Sequence, residues 1–198
     1  MKPALLLSAM LLISTASFAQ PKDFDRRAFS VGPIVGIGHS WIMPYANARY
    51  MPSFSAGAFA IYSTTEHWGI GMDVRYSVEG SRIKEPEFDT RNERINYVRV
   101  PLRLIYFGGN FGDNLRPKFT LGPSMGFLVG YDGPVNSTES TFDFGVTASG
   151  GFNYLVYPAT WLNVDLGYYQ GLTDVIRHTG MREMNGNVQL NVGIAFDI

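Results

Sequence analysis

The sequence contains no cysteine, which removes disulfides, thiolate metal sites and thiol catalysis from consideration. Histidine is scarce as well: His39, His67 and His178 are the only three, and their spacing matches no metal-ligand pattern. Charged residues make up 17% of the 198 positions and sum to a formal net charge of -1. The basic excess of a nucleic-acid-binding surface is therefore missing. After the first nineteen residues no apolar run approaches the ~18 residues of a spanning helix. These shortages exclude a helical membrane protein and a disulfide-stapled domain, and no metal or cofactor is expected.

What is present points elsewhere. Lys2 supplies a short positive region, Ala4 to Ile13 an apolar one, and Ser17-Phe18-Ala19 places small residues at the -3 and -1 positions before Gln20. Residues 1–19 thus read as a cleaved signal peptide, and residues 20–198 as one domain. Glycine is plentiful at 22 residues and aromatics reach 14%, a mixture that suits an all-β chain.

Period-two alternation recurs along this domain. Ile70, Met72, Val74, Tyr76 and Val78 alternate with Gly71, Asp73, Arg75, Ser77 and Glu79; Val188, Leu190, Val192, Ile194 and Phe196 alternate with Gln189, Asn191, Gly193, Ala195 and Asp197. One face is apolar and the other small, polar or charged, which is a strand signature. Eight strands are expected at 29–39, 53–63, 68–80, 95–107, 118–130, 141–155, 161–170 and 187–198. Long polar connections (41–52, 81–94, 131–140 and 171–186) alternate with short links at Thr64–His67 and Tyr157–Thr160 and with an intermediate, Gly/Asn-rich turn at Gly108–Pro117. This is the plan of an eight-stranded antiparallel up-and-down transmembrane β-barrel of the bacterial outer membrane, with long loops extracellular and termini periplasmic. Aromatics near strand ends (Phe29, Tyr62, Trp68, Tyr97, Tyr106, Phe119, Phe142, Phe152, Tyr154, Trp161 and Tyr168) are expected to form belts at the two lipid interfaces. A soluble barrel would put its apolar face inward, but the Gly-, Ser-, Thr- and Asn-rich opposite face suits a crowded lumen better. Pro33, Pro101 and Pro123 fall inside strands, where a missing donor suggests bulges.

The same alternation sends Asp73, Arg75, Glu79, Arg99, Arg103, Lys118, Asp143, Asp165 and Asp197 into the lumen. Buried charges need partners, and eight strands leave no wide channel, so a salt-bridged plug is expected. An ion or proton path is the alternative.

The run Tyr97-Val-Arg-Val-Pro101-Leu-Arg-Leu-Ile-Tyr106-Phe, followed by Phe119-Thr-Leu-Gly-Pro123-Ser-Met-Gly, resembles the PorT-like outer-membrane β-barrel family. So does Met72-Asp-Val-Arg-Tyr-Ser-Val-Glu-Gly80, with its Tyr-Ser-x-x-Gly ending. The resemblance spans the mature chain and implies an eight-stranded barrel in which strand prolines are usual. It also implies, through the founding member, a link to protein secretion by the type IX system. It brings no catalytic or binding residue with it.

Several functions compete. A non-enzymatic structural or interaction barrel would contact outer-membrane lipid, and envelope or secretion proteins through its long loops. Loop 81–94 carries Arg82, Lys84, Arg91 and Arg94 beside Glu85, Glu87, Asp89 and Glu93, which is also the composition of a merely solvated loop. A rim enzyme acting on lipid or peptide would need a serine with a base and a carboxylate; His39-Ser40, or His178 with Asp174, are the nearest candidates. His67 reads as a turn residue. A small-solute transporter would need local space, for which Gly32, Gly36 and Gly38 are the candidates, although close backbone packing explains them equally. Tyr131-Asp-Gly-Pro134 is turn chemistry rather than a calcium loop, and the Asn136-Ser-Thr138 sequon has no evident use in a bacterial barrel.

Overall fold

A computed structural model describes residues 29–43, 48–83, 91–132, 140–175 and 182–198. The signal-peptide assignment, His178 and the Asn136 sequon lie outside the described residues.

The alternating segments form eight long antiparallel strands: β1 (Phe29–Met43), β2 (Met51–Ser63), β3 (Trp68–Ile83), β4 (Arg91–Phe107), β5 (Leu115–Asp132), β6 (Phe142–Tyr157), β7 (Thr160–Gly171) and β8 (Met184–Asp197). Each pairs with the next, and β8 returns to pair with β1. The sheet closes on itself and its long strands leave no edge with unpaired backbone, the condition a sheet must meet in hydrocarbon. A two-residue segment, Ala48–Arg49, adds a short rung beside Ile83 and Arg82.

Strands run 12 to 18 residues, longer than the ~9–11 that cross a bilayer. The excess lies at the end carrying the long connections. There β3 and β4 stay paired up to Ile83 and Arg91, and Arg82 Nε donates to Asn92 Oδ1 at 3.1 Å. The expected loop 81–94 therefore narrows to 84–90, because its flanks are strand.

The prolines behave differently from expectation. Register is the same on both sides of Pro33, Pro101 and Pro123, so none sits at a bulge. Instead two rungs drop out at each: Gly32 and Pro33 on the β8 side, Val100 and Pro101 opposite Val74 and Asp73 on the β3 side, and Gly122 and Pro123 opposite Arg103 and Leu102. A missing N–H removes a bond without forcing an extra residue. The register shift in this region falls at Asn96/Tyr97, where β5 carries one residue more than β4.

The opposite end, with the short links, is tied together. Thr64 and Thr65 N–H both donate to Trp68 O, and Phe107 N–H donates to His67 O at 2.8 Å. Glu66 joins two turns, its Oε1 accepting from Phe111 N–H at 2.7 Å and its carbonyl from Arg116. The β6–β7 turn places Ala159 at φ 61°, a left-handed conformation that a side chain disfavours.

Candidate functional site

Burial is inverted relative to a soluble protein. The apolar members of the alternation are outside: Ile37 is 63% exposed, Leu166 61%, and Val74, Leu121 and Ile194 are exposed as well. Asp73, Glu79, Asp143 and Lys118, which lie on the inner face, are completely buried. An apolar outer wall around a polar interior is stable only where the outside medium is itself apolar.

The lumen is organised as two charge clusters. Nearer the long connections, Arg99 of β4 reaches Glu79 of β3 through Nε and Nη2, the latter at 2.6 Å, and Asp143 of β6 through Nη2 at 2.7 Å. Its guanidinium lies between the rings of Tyr97 and Tyr169, 4.7 and 4.0 Å from their centroids. Ser77, Tyr169, Thr173 and Asn185 complete the carboxylates: Ser77 Oγ donates to Glu79 at 2.7 Å, Asn185 donates to Glu79 from across the barrel, and Tyr169 and Thr173 donate to Asp143 at 2.9 Å. Nearer the short links the arrangement is reversed. Asp73 takes Arg75 on one side and Arg103 on the other. Arg75 also donates to Asn191 of β8 at 2.7 Å. Below them Lys118 of β5 pairs with Asp165 of β7 at 3.0 Å and donates to Asn163 at 2.6 Å.

Eight of the nine charged residues assigned to the lumen therefore stand in these ion pairs. Asp197 is apart from them, at the short-link end, where its Oδ2 accepts from Trp161 Nε1 at 2.9 Å. That contact corrects the expected belt. Trp161 turns inward onto an apolar cluster of Ile34, Phe59, Ile61, Ile105, Phe107 and Ala195. Tyr97 is completely buried too, in a second cluster with Ile42, Ile95 and Val175 at the long-connection end. Tyr97 shares the parity of Arg99 and Arg103, which was the signal that placed it inside. The partners Ser77, Asn163, Tyr169, Asn185 and Asn191 carry the same parity signal.

The glycines of β1 are not open space. A β-carbon on Gly36 would stand 2.3 Å from Asn191 Oδ1 and 2.6 Å from Ser55 Oγ, so side chains of β2 and β8 meet over it. Ser55 there donates to Gln189 Oε1 at 2.9 Å. Between the two charge clusters a cavity of about 70 Å³ remains.

Of the candidate rim and turn groups, those among the described residues are placed as follows. Ser40 is buried and exchanges hydrogen bonds with the Gly80 backbone, while its neighbour His39 projects from the opposite face. His67 Nδ1 lies 3.1 Å from Phe107 O. Asp174 accepts from the Glu183 N–H at 3.0 Å. Among the described residues no group of His, Asp and Glu is placed to hold a metal ion.

Comparison with known proteins agrees with the inverted burial. Residues 18–177 match the family model of the outer membrane protein beta-barrel domain. The chain belongs to that family. It is an integral outer-membrane β-barrel protein. Among solved structures, its fold is similar to the outer membrane protein OprG from Pseudomonas aeruginosa, at 13% identity and a TM-score of 0.58, covering 85% of this chain and 94% of that one. It is also similar to Neisserial surface protein A, at 15% identity and a TM-score of 0.52, covering 86% and 97%. At such identities the likeness is one of fold. No protein of curated function matches the sequence.

Proposed function

We propose that this outer-membrane barrel is a non-enzymatic structural and interaction component of the cell envelope, acting through its long connections rather than by passing solutes. In this reading the long connections are extracellular, the termini periplasmic, and the outer wall meets lipid. The carrying observation is the filled lumen: two apolar clusters with paired charges between them occupy the axis of the barrel. With the axis filled, the surfaces left for recognition are the lipid-facing wall and the rim. The PorT-like resemblance of the Tyr97–Phe107 and Phe119–Gly126 segments directs the search for partners toward protein secretion.

The test is affinity purification of the full chain in mild detergent, alongside a variant lacking residues 84–90, which lie between the paired strand ends of β3 and β4. The reading expects envelope or secretion proteins to co-purify with the intact chain and to be lost with the deletion. An isolated barrel in both preparations would contradict the interaction role.

A further inference from the structure

The outer wall changes character where β3 and β4 approach the long connection between them. Up to Val78 of β3 and Val98 of β4 the outward positions are apolar; beyond them stand Arg82 and Arg94, both exposed. The short rung Ala48–Arg49 adds a third cation, because Arg49 pairs directly with Arg82 and so shares its outward face. Ser81 Oγ donates to Arg49 O at 3.3 Å and ties that rung to β3. Near the same end of β1, β6, β7 and β8 stand the outward residues Trp41, Phe142, Tyr168 and Gly186, all uncharged.

Like charges directly opposite one another on a sheet repel. In the lumen every arginine of the charge clusters meets a carboxylate. Arg49, Arg82 and Arg94 pair with no carboxylate among the described residues. Asp132 is the cross-strand neighbour of Arg94, yet the two form no ion pair. Arg82 Nε donates to Asn92 Oδ1 at 3.1 Å, which orients the guanidinium and leaves its Nη groups without a bond among the described residues. Arg82 and Arg94 lie about 13 Å along their strands from Val78 and Val98. Strand tilt reduces that to about 9 Å in height, which is headgroup depth.

We propose that Arg49, Arg82 and Arg94 bind the phosphorylated headgroup of an outer-leaflet glycolipid whose acyl chains lie on the apolar wall below. Guanidinium groups grip phosphate oxygens in pairs, and one multivalent anion between Arg49 and Arg82 relieves their mutual repulsion. Phe54, Val74 and Tyr76, exposed on the same wall, supply the apolar surface beneath. The outer-leaflet location rests on the reading above that the long connections are extracellular; protein partners of those connections are a separate matter.

Diphosphoryl lipid A is the probe. Native mass spectrometry of the refolded full chain in neutral detergent is expected to show one lipid A retained. Lipid A stripped of both phosphates is expected to need at least about tenfold more for half occupancy. The triple variant Arg49→Gln/Arg82→Gln/Arg94→Gln is expected to weaken retention about a hundredfold. Arg82→Gln alone should weaken it about tenfold and serves if the triple variant does not refold. Inorganic phosphate equimolar with the lipid is expected not to displace it, having no acyl chains. Equal retention of the stripped lipid would overturn the proposal, and displacement by inorganic phosphate would overturn the lipid as the source. If Glu85, Glu87 or Asp89 supplied the missing anion, the intact chain would retain no more lipid than the arginine variants, which also overturns it. Orientation is read separately: Glu87→Cys, in a chain with no other cysteine, is expected to react with a membrane-impermeant maleimide on whole cells. Binding without labelling would overturn the orientation and the outer-leaflet assignment with it, whereas labelling without binding would overturn the lipid site alone.

Discussion

The two charge clusters of the lumen use the same residue types in opposite proportion. Around Arg99 a single cation serves two carboxylates, and around Asp73 a single carboxylate serves two cations. The first is closed: its hub lies between two tyrosine rings, and donors from β3, β7, β8 and the segment after β7 fill the remaining acceptor sites. The second is looser, with the Arg75 side chain 11% exposed and bonded to the amide of Asn191 as well as to Asp73. Removing a hub should therefore cost more where the orphaned charges are completely buried, as Glu79 and Asp143 are.

The largest effect is expected from Arg99→Gln, which strands two fully buried carboxylates; a loss of about 3–5 kcal/mol in the urea unfolding midpoint analysis follows from breaking a buried pair. Asp73→Asn strands two arginines that retain amide partners or cavity access, and a smaller loss of about 2–3 kcal/mol is expected in the same titration. Equal losses would show that the two clusters do not differ as described. Gly126→Ala sharpens the comparison without deleting a charge. The new β-carbon would stand 2.9 Å from Arg99 Nη1 and 3.3 Å from Tyr97, so overpacking of about 1–3 kcal/mol should appear. Its effect should be non-additive with Arg99→Gln, since both act on one group.

Thr173→Ala is expected to cost about 1 kcal/mol, the value of a typical hydrogen bond, because Thr173 joins Asp143 to the segment that carries Val175 into the apolar cluster. Faster proteolysis after β7 would report the same loosening locally. At the other end of the barrel, Ala159→Gly should be mildly stabilising, by up to about 1 kcal/mol, as it relieves a left-handed alanine.

The strands, their order and the inward charges could be read from the sequence because one period-two pattern encodes all three. Asp73, Arg75 and Glu79 alternate with Met72, Val74 and Val78, and parity alone separates lumen from lipid. The partners of those charges were less legible. Arg75 meets Asn191, and Glu79 meets Asn185, across strands that are not neighbours, so the pairing depends on how the barrel closes and staggers. Residue type also misled at two positions. Tyr97 and Trp161 look like interface aromatics, yet both turn inward. Ile34, Phe59 and Ile105 share that inward placement, apolar residues on a face otherwise polar, and they cap the lumen. The prolines misled in the opposite sense, since the β3–β4 ladder loses rungs at Pro101 and the β4–β5 ladder at Pro123 while both keep their register there.

Single-channel recording from the refolded full chain in planar bilayers tests the filled lumen most directly. Baseline current with no stable unitary steps is predicted for the intact barrel. Long-lived ohmic openings in the intact chain would contradict the closure of the barrel by its paired charges and apolar clusters.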